Sequence, residues 1–460
     1  MKKYLFFVLG IYLSTNVNAQ NFSKIIISNN QTAGIYGLWG KDLDNDGDID
    51  LMSASQTDNS LAYYINDGNA NFTQHILTGS SGIINLPGAL SIDAADFDND
   101  GDIDFVACGT SDLYWYENNG GVFIEHLIET GLNNPLQVRT YDVGTMTDPG
   151  TPDGDIDIGV LVSGENTATV YMNDGNNSFS RINLISVNNP KFLHGGDFDS
   201  DNTDDLVITS YTNNEIKWYK LGTWGFVTGG TIVSNFNGAF GVEGGDLDLD
   251  NDDDVVATAF LDNEIAWFEN TDGTGNNFTK HSIDTNLIGA SYVHWVDIDA
   301  DGDKDFIVAA FGNMSGSTTT GHEMVIYYND GSMNFTKFTA DNTEAGPANF
   351  FPADFNNDGL LDIAYAANVS GKLVLLANNA LSITEHSLKN IKIYPNPAST
   401  YIKVLTNDLI QQIEILDLTG RKILNTNSAY INLQNFQKGY YLMHISLSNG
   451  QKVFRKFLVK

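Results

Sequence analysis

Short apolar runs, each bounded by Gly, Asn and Asp, return along the chain in groups of four. Near residue 290 one group reads SYVHWVDI, DFIVAAF, MVIYYN and NFTKFT, with an acidic segment between the first run and the second. Third runs of the same kind are LAYYIN, LYWYEN, EIKWYK and EIAWFE, and fourth runs are NFTQHIL, VFIEHLI and NFTKHSI. Their β-branched and aromatic content, their length and their turn-forming borders predict strands rather than helices. The acidic segment marks the period. It begins at 42, 96, 142, 197, 246, 297 and 354, at intervals of 54, 46, 55, 49, 51 and 57 residues.

Four antiparallel strands repeated at about this period predict an all-β fold, a seven-bladed β-propeller over residues 20–380. The run NFSKIIIS at 21–28 precedes every acidic segment, whereas the last repeat ends after KLVLLAN. Closure of the ring follows if this first run supplies the outer strand of the last blade. SITEHSL at 382–388 competes for that role and is read instead as part of a linker over 381–390.

Each acidic segment follows one plan. DLDNDGDID at 42–50 places Asp at positions 1, 3, 5, 7 and 9, with Gly at position 6 for a sharp turn. Carboxylates so spaced can wrap one hard cation, and flexible all-oxygen ligation favours Ca²⁺ over octahedral Mg²⁺. Without metal they would repel one another. The expected calcium ligands, at positions 1, 3, 5 and 9, fall in six loops: Asp42, Asp44, Asp46 and Asp50; Asp96, Asp98, Asp100 and Asp104; Asp197, Asp199, Asp201 and Asp205; Asp246, Asp248, Asp250 and Asp254; Asp297, Asp299, Asp301 and Asp305; Asp354, Asn356, Asp358 and Asp362. Position 7 would offer its backbone carbonyl. The loop from Asp142 to Asp157 carries seven extra residues before Asp153 and is expected to bind poorly or not at all. The metal-free reading, a set of solvated turns, is disfavoured by the register of the loops with the strand repeat.

The unit HGGDFDSDNTDDLVITSYTNNEIKWYK and its siblings resemble the FG-GAP or VCBS repeats of secreted bacterial proteins and integrin α-subunit propellers. The resemblance covers residues 21 to about 380 and implies a calcium-binding propeller. Its members include adhesins, glycan-binding proteins and some polysaccharide lyases, so fold alone does not choose a function.

Charge divides the chain. Its 460 residues carry 23 Lys plus Arg against 58 Asp plus Glu, a net charge of -35, yet residues 389–460 alone carry a net +7. That segment contains the prolines of IKIYPNPAS, then short strands, and predicts a small Ig-like β-sandwich over 391–460. Pro395-Asn396-Pro397, LDLTGRKI, Gly439-Tyr440-Tyr441 and the basic end resemble, in order, the C-terminal sorting domain of the type IX secretion system of Bacteroidetes. The resemblance implies the type IX machinery as a partner and a secreted or surface-attached destination. At the other end, Lys2 and Lys3, the apolar run Tyr4 to Leu13 and Val17-Asn18-Ala19 describe a signal peptide over 1–19. No later run is long and apolar enough to predict a transmembrane segment. The lone cysteine, Cys108, reads as a buried strand thiol rather than a nucleophile.

Three residues before each acidic loop stand Trp39, Asp93, Arg139, His194, Glu243, His294 and Phe351. If the run before the loop is the innermost strand, these seven meet at one level around the axis. Such a ring could bind a sugar or uronate, and Arg139, His194 and His294 could neutralise a uronate carboxylate and abstract a proton for β-elimination. The plainer reading is that they pair with one another in a water-filled channel. Trp115, Trp218 and Trp267 share one position of the third run, where packing between blades competes with sugar stacking. GNMSGSTTTGH at 312–322 is a candidate binding loop. An acidic propeller repels phosphate, which argues against nucleic acid. The expectation is a non-catalytic calcium-binding propeller for glycan recognition or adhesion, with a polysaccharide lyase acting through the ring as the alternative, and a purely structural surface component as a third.

Overall fold

The computed structural model describes residues 21–379 and 392–460, apart from 29–33, 80–81, 143, 146–147, 150–152, 176–177, 202, 204, 223–224, 316–317, 407–408, 417–420 and 448–451. The expected signal peptide and linker lie outside the described residues. Two compact units divide between Ala380 and Leu381. Among the described residues there is no helix.

In the larger unit the repeat becomes a series of antiparallel sheets. The first contains Ile35–Lys41, Asp50–Ser55, Ser60–Asn66 and Phe72–Ile76 in chain order. Five further sheets begin at Ser91–Ala95, Pro135–Tyr141, Pro190–Gly196, Ala239–Gly245 and Ala290–Val296. The sheet begun by Ser91–Ala95 gains two short strands, Thr78–Gly79 and Gly82–Ile83, outside its fourth. In the last, Pro347–Ala353, Asp362–Ala367 and Lys372–Asn379 are completed by Asn21–Ser28, paired antiparallel from Asn21 opposite Asn379. The N-terminal run therefore supplies the fourth strand of the C-terminal sheet, as its position before any acidic loop implied.

Burial grades across each sheet and explains the sequence pattern. The strand after the acidic loop is buried along its whole length in Asp50–Ser55, Asp254–Ala259, Asp305–Ala310 and Asp362–Ala367, hence its continuous apolar run. Fourth strands such as Phe72–Ile76 alternate partly buried with exposed residues. Apolar clusters lie between neighbouring sheets: Leu51 and Tyr64 of the first pack with Phe355, Ala364 and Leu375 of the last. The opening strand of each sheet contacts that of the next, and Ile35–Lys41 contacts Pro347–Ala353. Six of these strands carry a bulge near their start, as between Ile35 and Gly37 or Pro190 and Leu193, which re-aims the residues that follow.

Two insertions form hairpins. Asn313–Ser315 pairs with Thr318–Thr320, so the candidate loop at 312–322 is an ordered ribbon on either side of its tip. Gly144–Thr145 pairs with Asp148–Pro149 within the extra residues of the third loop. The smaller unit has a three-stranded and a four-stranded sheet sharing one core of Ile402, Val404, Ile413, Ile415, Met443, Ile445 and Phe457.

Candidate functional site

The acidic loops share one hydrogen-bond frame. Asp46 N–H donates to Asp42 Oδ1 at 3.1 Å and Gly47 N–H to Oδ2 at 3.0 Å, so the position 1 carboxylate closes the turn. The same pair of bonds recurs at Asp96, Asp246, Asp297 and Asp354. Position 6 has φ of +95° at Gly47 and +75° at Asn251, a left-handed conformation that Gly takes freely and Asn tolerates. The third loop keeps the frame across its insertion, with Asp153 and Gly154 N–H both donating to Asp142 at 3.0 Å. The insertion falls where its siblings place the position 3 aspartate.

The frame brings carboxylates together. One oxygen each from Asp42, Asp44 and Asp50 lies within 4.8 Å of the others, and likewise in Asp96, Asp98 and Asp104, in Asp197, Asp199 and Asp205, and in Asp297, Asp299 and Asp305. In the loop at 246 the grouped residues are Asp246, Asp248 and Asp250. Position 5 thus joins the tight group in one loop, and position 9 in four. Position 9 also does structural work. Asp50, fully buried, accepts Leu43 N–H at 2.8 Å and Asn66 N–H at 2.7 Å, joining the loop to the end of the third strand. Asp104, Asp254, Asp305 and Asp362 do the same.

Outside the loop at 197, where Lys220 pairs with Asp199 and Asp201, these groups have no ion-pair partner among the described residues. Burial, reinforced by neighbouring aspartates, raises the pKa of Asp44, Asp98 and Asp248, and takes Asp299 to about 6. Burial, partly offset by the backbone donors, takes Asp50 to about 6, Asp104, Asp305 and Asp362 to about 7, and Asp254 to about 8. Buried Oδ1 atoms of Asp199, Asp248, Asp299, Asp252 and Asp303 have no hydrogen-bond partner. Asp252 and Asp303 stand at position 7, where the backbone carbonyl is the expected ligand and the side chain matters less, and burial beside neighbouring carboxylates pushes both to about 6. Clustered, partly buried oxygens without donors fit a hard divalent cation.

Sequence reasoning missed a second repeated device. Asn66, Asn173 and Asn270 end third strands and Asn378 stands one residue before the end of its own, and each donates from Nδ2 to the position 2 carbonyl of a neighbouring sheet's loop: Phe355, Phe97, Phe198 and Ile298, at 2.9, 2.9, 3.0 and 3.3 Å. In sequence these residues read as ordinary turn asparagines. Their recurrence at the end of the third run was the available signal.

The ring residues do converge. Trp39, Asp93, Arg139, His194, Glu243, His294 and Phe351 all line one cavity of about 640 Å³. Tyr141, Phe192, Tyr292 and Phe350 also line it. Within it the seven form distinct groups. Trp39 packs edge-on against Phe351, centroids 5.2 Å apart, and the Arg139 guanidinium lies 4.1 Å from the Trp39 ring centroid. Asp93 is held by backbone, accepting Ala94 N–H at 2.8 Å and Thr140 N–H at 3.0 Å; burial raises its pKa and the nearby Arg139 charge opposes the rise. His294 Nδ1 donates to Glu243 Oε1 at 2.6 Å, Trp295 N–H donates to Oε2 at 2.8 Å, and His194 Nε2 lies 3.4 Å from Oε1. Burial alone would raise Glu243, but the two imidazoles bring it down to about 2. Burial would lower His194, and Glu243 reverses this to a net rise. Pairing therefore accounts for His194, Glu243 and His294, while Arg139 stacks on an aromatic face.

Residues 42–107 and 246–308 match the FG-GAP-like repeat family, and residues 392–460 match the secretion system C-terminal sorting domain. The chain carries FG-GAP-like repeats and ends in a sorting domain. The sorting domain makes the protein a secreted or cell-surface one, a type IX cargo. No curated protein matches the sequence. The crystal structure of virginiamycin B lyase from Staphylococcus aureus, in its selenomethionine form, is similar with a TM-score of 0.50 at 15% identity, over 78% of this chain and 99% of that chain. At that identity the likeness concerns the fold, a β-propeller.

The three tryptophans of the third strands belong to the core. Trp115, Trp218 and Trp267 are at most 5% exposed. Trp115 Nε1 donates to Asp104 Oδ2 at 3.1 Å, Trp218 Nε1 to Gly275 O at 2.8 Å, and Trp115 and Trp267 stack on His126 and His281. They offer no free face for a sugar. Cys108 is fully buried, and burial pushes its thiol up to about 12. Among the described residues, no helix is long and apolar enough to cross a membrane.

Proposed function

We propose that residues 20–380 are a closed, seven-bladed, calcium-stapled propeller whose axial cavity recognises an extracellular glycan bearing a carboxylate. The ring of contacts among opening strands and the pairing of Asn21–Ser28 with Lys372–Asn379 support closure. Calcium, when bound, supplies the positive charge that the grouped carboxylates lack. The observation that carries the recognition reading is the convergence of all seven ring residues on a cavity of about 640 Å³, a volume suited to a small ligand or one or two sugar units. Trp39 and Phe351 offer aromatic faces to a sugar ring, and Arg139 offers a cation to its carboxylate.

One observation favours a lyase as second reading: Glu243 holds His294 by Nδ1, leaving Nε2 as the nitrogen that could take a proton α to a uronate carboxylate. Electrons of that C–H bond would form the C4=C5 double bond as the glycosidic oxygen departs from C4, and a proton returned to that oxygen would complete the elimination. The test is a glycan array with a turnover assay on uronate polysaccharides. Saturable binding without ultraviolet-absorbing product supports recognition; product lost in His294→Ala establishes the lyase; neither binding nor product refutes both.

A further inference from the structure

One acidic loop differs from its siblings in what faces it. In the strands after each loop, cross-strand register equates Ile65, Glu117, Met172, Lys220, Glu269, Tyr328 and Ala377, each following the residue paired with the second residue of the strand that leaves the loop. Only one of the seven is a cation. Lys220 Nζ is ion-paired with Asp199 Oδ2 and lies 2.8 Å from Asp201 Oδ2. Those are positions 3 and 5, two of the carboxylates a divalent cation would bridge. In four siblings the same register position is uncharged, and in two it adds negative charge: Glu117 and Glu269 are carboxylates, each paired with a histidine, His126 or His281, at 2.7 Å.

The described residues of the loop keep part of the frame of its siblings. Asp201 N–H donates to Asp197 Oδ1 at 3.0 Å, and Thr203 N–H to Asp201 Oδ1 at 3.0 Å. It is tied to the next sheet by Asp197 N–H to Asp253 Oδ2 at 2.7 Å and Ser200 Oγ to Gly273 O at 3.0 Å. The next residue along the strand is Leu221, where six siblings have Asn.

We propose that the Lys220 ammonium takes the place of the divalent cation in the loop Asp197 to Asp205, so that this repeat is held without metal while the loops beginning at 42, 96, 246, 297 and 354 require it. An ammonium carries three donors and a fixed positive charge on a flexible stem, enough to bridge two carboxylates that would otherwise repel. The inference rests on the calcium reading of the sibling loops and departs from the expectation that Asp197, Asp199, Asp201 and Asp205 bind calcium, although oxygens of Asp197, Asp199 and Asp205 do group within 4.8 Å.

Calcium equivalents per chain, counted by equilibrium dialysis on the full secreted chain, test it. Asp44→Asn, in a sibling loop, is expected to lose one equivalent and Asp199→Asn none. Lys220→Gln is expected to gain one equivalent, and to melt below wild type in EDTA but alongside it in saturating calcium. Loss of an equivalent in Asp199→Asn, or no gain in Lys220→Gln while Asp44→Asn loses one, overturns the proposal and leaves the calcium reading standing. A wild-type chain that binds no calcium overturns both. The Asp199→Asn arm decides the matter even if Lys220→Gln does not fold.

Discussion

Chelating divalent cations at pH 7.5 should lower the melting temperature of the propeller, and the structure sets the size and pH dependence of the effect. Loops beginning at 42, 96, 246, 297 and 354 have the full turn frame and, among the described residues, no ion-paired lysine or arginine. Extracellular calcium modules bind at roughly 0.1 to 1 mM, so at about 2 mM calcium each loop contributes about 0.7 to 1.8 kcal/mol. Five independent loops then sum to about 3 to 9 kcal/mol. Over residues 21–379 an unfolding entropy of about 2.1 cal/mol/K per residue gives about 0.75 kcal/mol/K, so EDTA should lower the transition by about 4 to 12 °C. Burial pushes Asp50, Asp104, Asp254, Asp305 and Asp362 to about 6, 7, 8, 7 and 7 in the folded chain, against 3.8 for an ordinary aspartate. Between those limits the folded state holds protons that the unfolded chain has released, so metal-free stability falls as pH rises. In EDTA the melting temperature should therefore drop between pH 5 and pH 8, and calcium should restore more of it at pH 8 than at pH 5. Differential scanning calorimetry in EDTA and in calcium at both pH values measures this. A transition indifferent to EDTA at pH 8, or a calcium increment larger at pH 5, would refute the reasoning.

Glu243→Gln removes a charge whose pKa, brought to about 2 by the two imidazoles, lies below the ordinary glutamate value of 4.5; such a group stabilises above pH 4.5 and loses the effect as pH falls toward 2, so the variant should lose up to about 3 kcal/mol at pH 7, and denaturant unfolding at pH 7 would show no change if the His194 and His294 contacts were unimportant. Arg139→Ala should weaken binding of a uronate-bearing glycan at least about tenfold, the equivalent of 1.4 kcal/mol, while sparing any neutral homologue; isothermal titration of both ligands separates a carboxylate partner from a packing role. Asn270→Ala removes donors to Phe198 O and Asp253 O and an acceptor for Gly275 N–H, which should cost about 1 to 3 kcal/mol with no calcium equivalent lost, as read by chemical denaturation beside equilibrium dialysis.

What was legible in the sequence was whatever the repeat states at a fixed offset. The turn frame, the strand order and the pairing of Asn21–Ser28 with the last sheet follow from the spacing of Asp, Gly and apolar runs. The ring follows too, because a residue three places before a repeated loop must occupy equivalent places in equivalent strands. What was hidden depends on atoms brought together across strands. Position 9 reads in sequence as a ligand alone, whereas both oxygens of Asp50 also accept backbone N–H groups, a contact that no composition reports. The Asn66 and Asn270 latches join loops 289 and 72 residues away, so neither was readable as more than a turn. Glu243 reads as one more acid in an acidic chain until His294, 51 residues on, is found at 2.6 Å. Lys220 is the clearest case. Nothing in EIKWYK marks it, and it follows Asp201 by 19 residues, yet register sets it against that carboxylate as surely as register sets Glu269 near Asp248. Repetition makes the common features of the loops visible and conceals their differences, because one substitution opposite a loop inverts its charge balance while leaving the repeat intact. A register-aligned comparison of the residues facing each loop is therefore the physical basis for assigning metal loop by loop, where the loop's own aspartates make all six alike.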